Sequence, residues 1–198
     1  MSEQKLTKYR FSFGPWNIHE GSDPFGPTVR EPYSFREKIG FYRELGFEGM
    51  QFHDDDAVPN LNDLTHEQIV KKSKEVKQLL DDNGLVAEFV APRLWEDSRT
   101  IDGAYTSNNP DERKYAIERS YRAVDIANEL RTDKMVLWLA REGTYIREAK
   151  SSKDAVGYIL DAINKILAYD KHIKILIEPK PNEPMDHAYI PTIGHAIA

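Results

Sequence analysis

The chain has 198 residues, of which 40% are hydrophobic, so it can bury one core of ordinary domain size. Its net charge of -6, without a Lys/Arg-rich run, argues against nucleic-acid binding, and no apolar run is long enough for a signal peptide or a membrane span. The lack of cysteine excludes disulfides and thiolate metal sites, so a metal would need oxygen or imidazole ligands, as Mg, Mn and Co accept. We therefore expect a soluble, cytoplasmic protein without nucleic-acid or membrane partners.

Short apolar runs alternate along the chain with segments of helical period, which predicts a parallel sheet covered by helices. Five strands are predicted, at residues 9–13, 47–52, 85–91, 134–139 and from 175 onward. Capping boxes and caps mark where the helices begin, at Ser34 with Glu37, Thr65 with Gln68, Asn109 before Pro110, and about Ser152. In the last of these helices, which extends to Tyr169, the pattern places the following residues inward: Val156, Ile159, Leu160, Ile163 and Ile166.

The connection after the first strand, Gly14-Pro-Trp-Asn17, lacks the Gly-x-Gly-x-x-Gly pattern of a dinucleotide fold. A (β/α)8 TIM barrel is therefore the better candidate for this α/β chain. Only about five strands and four helices of such a barrel are present, and the residues from Pro191 onward are typical of the opening of a further helix. The expected organisation is a single partial barrel domain over residues 1–198.

Polar and aromatic side chains follow each predicted strand, at the end where α/β proteins keep their chemistry. Aromatic walls beside acids and an imidazole suit a polyhydroxylated ring with apolar C–H faces, although any one Trp could simply be packing. Glu178 and Lys180 face the same way at the end of the fifth strand, either as an ordinary salt pair or as a functional pair. The candidates are Trp16, Phe25, His53, Asp56, Trp95, Trp138, Glu178 and Lys180.

The run from His53 to Asp56 and the pair of Glu178 with Lys180 each have a possible catalytic role as well as a purely structural explanation. The run from His53 to Asp56 is either a solvated acidic loop or a pair in which Asp56 fixes the imidazole tautomer, leaving the other nitrogen for proton exchange with a sugar. Glu178 offers hard oxygen to a divalent cation, although one carboxylate cannot complete a six-coordinate site. Lys180 could polarise a substrate carbonyl.

Several motifs together resemble xylose isomerase, in particular its shorter, actinobacterial-type class. The similarity extends in order from about Arg10 to the last residue. The motifs are Asp23-Pro-Phe-Gly26, Phe52-His-Asp-Asp-Asp56, Trp138-Leu-Ala-Arg-Glu-Gly143, Ile177-Glu-Pro-Lys-Pro-Asn-Glu-Pro184 and Pro191-Thr-Ile-Gly-His195.

The resemblance implies a TIM barrel that converts D-xylose to D-xylulose by a metal-assisted hydride shift after ring opening, with two divalent metal ions (Mg, Mn or Co). It further implies a homo-oligomer, a dimer or tetramer, in which Phe25 reaches a neighbouring subunit's site. By motif position, His53 and Asp56 would open the ring, Lys180 would contact O1, and Glu178 would bind metal. Trp16, Trp95 and Trp138 would form the substrate pocket, with Glu183 in the outer shell.

The chain also departs from the family pattern. Ala91-Pro-Arg-Leu-Trp95 replaces Thr-x-Asn-Leu-Phe, Leu139 and Ala140 replace two glycines, and the family's remaining metal ligands lie beyond this chain. We therefore expect little or no activity from the 198 residues alone. Two alternatives stay open: a related metal-dependent sugar epimerase or phosphate-acting enzyme, in which Arg93 pairs with a phosphate, and a non-catalytic half-barrel that self-associates through open sheet edges.

Overall fold

The computed structural model describes residues 9–19, 21 and 29–198. Five parallel strands form one sheet in chain order, as the alternating pattern predicts. Parallel neighbours in this order need a crossover at each step, which the intervening helices supply. The strands are β1 (Ser12–Phe13), β2 (Gly49–His53), β3 (Val86–Ala91), β4 (Lys134–Trp138) and β5 (Lys174–Glu178).

Four long helices cross between successive strands, and two short ones follow strand ends. The capping boxes at Ser34 and Thr65 are present, and Asn109 caps a helix that has proline in its first position, so these sequence signals are confirmed. The helices are α1 (Phe35–Glu44), α2 (Asp54–Ala57), α3 (His66–Asp82), α4 (Pro110–Glu129), α5 (Ser152–Tyr169) and α6 (Ile193–Ile197). No helix in this part of the chain is long and apolar enough to cross a bilayer.

The core lies between the sheet and its helices. Met50 and Phe52 of β2 are fully buried in it, so the alternating residues Gln51 and His53 lie on the opposite face of the sheet. The pairing between β2 and β3 is interrupted by a bulge, because Met50 pairs with Ala87 whereas Phe52 pairs with Val90. Two residues of β3 thus stand opposite Gln51, and the register brings Ala91 beside His53 at the carboxyl end.

Two predictions from the apolar pattern were wrong in detail. Val156 and Leu160 of α5 were expected to point inward but are 37% and 56% exposed, whereas Ile159 and Ile166 are fully buried. Helical periodicity identifies an apolar face but not its limits, and here Ala162 rather than Leu160 lies against the core. The first strand is also shorter than predicted, because pairing with β2 covers only Ser12 and Phe13.

Candidate functional site

An open cavity of about 350 Å³ lies where β2, β3, β4 and β5 end. Five of the side chains predicted to share one rim line it together, which brings residues far apart in the chain to one place. The carboxyl ends of parallel strands are the usual location of binding sites in such folds. The lining residues are Trp16, His53, Phe89, Ala91, Arg93, Trp95, Val136, Trp138 and Glu178.

Aromatic rings form a continuous wall along this cavity. The Trp16 ring lies 4.1 Å from the His53 ring, centroid to centroid, and Trp95 meets His53 edge-on at 5.0 Å. Trp95 in turn contacts Trp138 edge-on at 4.5 Å. Edge-to-face pairs of this kind hold each ring in one orientation. The cavity therefore offers rigid, flat apolar surfaces next to an imidazole.

His53 is buried at the end of β2, and its Nδ1 atom has two close neighbours. Asp56 Oδ2 lies 3.0 Å from Nδ1, and Arg93 Nη2 lies 2.7 Å from it. The backbone amide of His53 also donates to Asp56 Oδ2, at 3.0 Å. Burial alone would raise the pKa of Asp56, but its contacts with the ring and backbone of His53 and the charge of Arg93 outweigh it and lower that pKa. Asp56 is thus held as a carboxylate.

Arg93, which the sequence suggested only as a possible phosphate-binding residue, contacts the carboxylates around His53. Its Nε donates to Asp55 Oδ1 at 2.7 Å, its Nη1 to Glu96 Oε1 at 3.1 Å, and its Nη2 lies 3.3 Å from Asp56 Oδ1. Carboxylates therefore engage all three guanidinium nitrogens of Arg93. This does not favour the alternative in which Arg93 binds a substrate phosphate, because such a ligand would have to displace these ion pairs.

A buried ion pair anchors the loop that carries His53. Asp54 is fully buried and accepts from Arg119 of α4 through Nε at 2.7 Å and Nη2 at 2.9 Å. Its Oδ1 also accepts from the backbone amide of Arg93, at 3.1 Å. Asp54 thus ties the ends of β2 and β3 to α4. No local sequence pattern indicates this pair, because its members are 65 residues apart.

Glu178 fits a metal ion better than the acidic run does. It ends β5 and lines the cavity, and its carboxylate has no hydrogen-bond or ion-pair partner among the described residues. His53, Asp55 and Asp56 also place ligand atoms within 4.8 Å of one another, but the guanidinium groups of Arg93 and Arg119 already neutralise that group. Glu178 is therefore suited to be one oxygen ligand of a divalent cation, and further ligands are required.

The remaining predicted residues lie beside the cavity or outside the described part of the chain. Lys180 Nζ lies 5.2 Å from the centroid of the Trp138 ring and 3.3 Å from Glu183 Oε2. Lys180 is not among the lining residues, whereas Glu178 is. Phe25, with the motif from Asp23 to Gly26, lies outside the described residues.

Glu142 holds together the loops that follow β3 and β4. This fully buried carboxylate accepts from the amides of Tyr105 and Thr106, at 2.9 and 3.0 Å, and from the Thr106 hydroxyl at 2.6 Å. Burial raises the pKa of Glu142, and these hydrogen bonds oppose the rise. In the sequence Glu142 stands only as one residue of the motif from Trp138 to Gly143, and its structural role depends on residues about 36 positions away.

Parallel strands that follow one another in unbroken chain order, with a cavity at their carboxyl ends, are typical of the TIM-barrel class. The chain belongs to the xylose isomerase-like TIM barrel family, whose model matches residues 39–198. This confirms the expected fold class and the broader family, while it does not distinguish xylose isomerase from its relatives within that family.

Solved structures with the same fold include protein SMc04130 from Sinorhizobium meliloti 1021 (20% identity, TM-score 0.62, 94% of this chain and 56% of that one). D-psicose 3-epimerase from Clostridium cellulolyticum H10, solved with D-tagatose, is 14% identical with a TM-score of 0.56, covering 91% of this chain and 55% of that one. The IOLI protein, solved with a zinc atom, is 11% identical with a TM-score of 0.60, covering 95% and 56%. The chain therefore spans about half the length of these relatives.

Proposed function

We propose that the cavity binds a sugar and that the protein is a metal-assisted aldose–ketose isomerase of the xylose isomerase type, converting D-xylose to D-xylulose. The observation that carries this proposal is the shared cavity of His53, Glu178 and all three tryptophans of the chain. The combination of flat apolar walls, an imidazole and a carboxylate without a partner among the described residues matches the needs of a cyclic polyol. In this proposal residues 1–198 are one partial barrel domain of a homo-oligomer.

The first requirement of such a reaction is opening of the pyranose ring. His53, held on its Nδ1 side by Asp56 and Arg93, would exchange a hydrogen bond or a proton with the ring oxygen through its other nitrogen. Asp56 remains ionised beside it, because its pKa is lowered. Lys180, whose Nζ lies 5.2 Å from the centroid of the Trp138 ring, would contact O1 of the opened sugar.

A divalent cation (Mg, Mn or Co) would act as a Lewis acid toward the substrate hydroxyls, and Glu178 would provide one of its oxygen ligands. Family resemblance leads us to propose two such ions in the complete site. Trp16 and Trp138 would exclude water from the reacting carbons, which protects a hydrogen that moves between C1 and C2 from exchange. Glu183 would support Lys180 through their 3.3 Å ion pair.

The test is isomerisation of D-xylose in D2O with Mg, Mn or Co, using the protein expressed from its complete reading frame. We expect D-xylulose that carries little solvent deuterium at C1, because the hydrogen is transferred within the substrate. Glu178→Gln and His53→Gln should each lose activity, whereas His172→Gln, an exposed residue far from the cavity, should not. Failure to bind or convert xylose with any of these metals would contradict the proposal.

A metal-dependent sugar epimerase is the second candidate, because the chain shares its fold with D-psicose 3-epimerase. The same deuterium experiment separates the two reactions. Epimerisation by proton abstraction at a carbon next to a carbonyl exchanges that hydrogen with solvent, so a ketose substrate would gain deuterium at the inverted carbon. Turnover of D-psicose or D-tagatose with solvent deuterium, and none of xylose, would establish this alternative.

A non-catalytic half-barrel that acts by self-association is the third candidate. It predicts a defined oligomer without metal binding. Sedimentation velocity measures the oligomeric state, and titration with Mn²⁺ measures metal binding. A stable oligomer that binds neither Mn²⁺ nor any sugar would favour this candidate over both enzymes.

A further inference from the structure

The two neighbours of His53 Nδ1 make opposite demands on it. A guanidinium can only donate hydrogen bonds, and a carboxylate can only accept them. In a neutral imidazole Nδ1 is either a donor or an acceptor, so it cannot satisfy Arg93 Nη2 at 2.7 Å and Asp56 Oδ2 at 3.0 Å together. One of the two residues therefore determines which ring nitrogen carries the proton.

The geometry favours Arg93. Its contact with Nδ1, at 2.7 Å, is shorter than the 3.0 Å contact of Asp56, and either hydrogen bond would be charge-assisted, so the distance decides between them. Arg93 is also held in place on its other nitrogens, by Asp55 at 2.7 Å and Glu96 at 3.1 Å. Its guanidinium cannot lose a proton to relieve the conflict.

Asp56 does not need the ring proton. Its Oδ2 already accepts from the His53 backbone amide at 3.0 Å, and its Oδ1 lies 3.3 Å from Arg93 Nη2. Both carboxylate oxygens therefore have a donor even when Nδ1 carries no hydrogen. Asp56 then serves to fix the backbone at the end of β2 and to hold Arg93 against the ring.

We propose that Arg93 is a positioning residue that fixes His53 as the Nε2–H tautomer, with Nδ1 accepting from the guanidinium. The ring then offers a hydrogen-bond donor, rather than a base, through the nitrogen that Arg93 and Asp56 leave free. For a bound sugar this selects an acceptor such as the ring oxygen, a step that rests on the proposed function. The tautomer itself depends only on the protein.

The test is a long-range ¹H–¹⁵N correlation spectrum of the histidine rings in the uniformly ¹⁵N-labelled protein, recorded above the histidine titration range. His53→Gln identifies the signal by its loss. We expect His53 to show the Nε2–H pattern in the unmodified protein and to change to the Nδ1–H pattern in Arg93→Met, where Asp56 is the remaining partner. Arg93→Lys should restore Nε2–H, because an ammonium also only donates.

Two variants control for general disturbance of the loop. Glu96→Gln removes the negative charge that faces Nη1 but leaves the Nη2 contact, and should keep the Nε2–H pattern. Asp56→Ala, which leaves no acceptor oxygen at this position, should also keep the Nε2–H pattern, whereas it would convert a ring whose tautomer Asp56 determined. An Nδ1–H or doubly protonated His53 in the unmodified protein would overturn the proposal, and so would an unchanged tautomer in folded Arg93→Met. If Arg93→Met does not fold, the unmodified protein and Asp56→Ala still decide the question.

None of these measurements uses a sugar, so the proposed tautomer and the proposed sugar isomerisation are tested independently of each other. Absence of sugar turnover leaves the tautomer result intact, and a wrong tautomer leaves a sugar in the cavity possible.

Discussion

Breaking the buried ion pair between Asp54 and Arg119 should destabilise the protein far more than breaking an exposed pair. Asp54 is fully buried and Arg119 is 4% exposed, so neither charge can turn to water. Asp54→Asn removes the negative charge and places an amide group against two guanidinium nitrogens at 2.7 and 2.9 Å. The loss of charge leaves Arg119 with weaker contacts, to Asp55 at 3.3 Å and to the Tyr115 hydroxyl at 3.4 Å.

Removing one partner of a buried ion pair costs about 3–5 kcal/mol, because the other charge stays buried without compensation. Domains are typically stable by only about 5–15 kcal/mol, so this substitution should remove a large share of the total. The matched control is Asp161→Asn in α5, where the pair with Lys165 at 2.7 Å is about half exposed on both sides. An exposed helical pair contributes about 0.3–0.5 kcal/mol.

Urea-induced unfolding of the two variants, with the slope of the transition checked for equality, measures the difference. Adding Arg119→Met to Asp54→Asn should recover part of the loss, since an apolar side chain replaces the uncompensated charge. A free energy of unfolding for Asp54→Asn within about 1 kcal/mol of that for Asp161→Asn would refute this reasoning, because it would show that Arg119 finds water or another partner.

Three further predictions concern the site and its supports. Glu142→Gln should cost about 1–3 kcal/mol in urea unfolding, because its amide group cannot accept from both Tyr105 and Thr106; a neutral result would mean that the two loops do not depend on this carboxylate. Because the pKa of Asp56 is lowered in the folded protein, its ionisation contributes stability that is complete above the ordinary carboxyl pKa of 3.8 and is lost as the pH falls through the lowered value. Asp56→Asn should therefore weaken the dependence of the free energy of unfolding on pH in this acid range. The same pH dependence in the variant and the unmodified protein would contradict this. Trp138→Leu should weaken sugar binding roughly tenfold, or about 1.4 kcal/mol, in calorimetric titration with far-UV circular dichroism unchanged; unaltered affinity would place the sugar elsewhere.

The fold and the rim of the site could be predicted because both depend on local patterns. The capping boxes at Ser34 and Thr65 mark helix starts within four residues of sequence, and a short apolar run marks each strand. Once parallel strands are inferred, their carboxyl ends meet at one edge, so His53, Trp138 and Glu178 were expected together and do line one cavity.

The support of the site could not be predicted in this way. Arg93 meets His53 across 40 residues, and Arg119 meets Asp54 across 65, so no local spacing signals either contact. Three consecutive aspartates look alike in the sequence. The structure separates them, since Asp54 is sealed against α4, whereas Asp55 and Asp56 share Arg93. Only tertiary packing assigns these different environments.

The proposal that a sugar and a cation share the cavity is tested most directly by the tryptophan indole signals in a ¹H–¹⁵N spectrum. Titration with D-xylose in the presence of Mg²⁺ should shift the signals of Trp16, Trp95 and Trp138 together, because all three rings line the cavity. The shifts should be much smaller without Mg²⁺ and should disappear in Glu178→Gln. Indole signals that do not move at saturating xylose, or that move equally without the cation and in Glu178→Gln, would contradict the account.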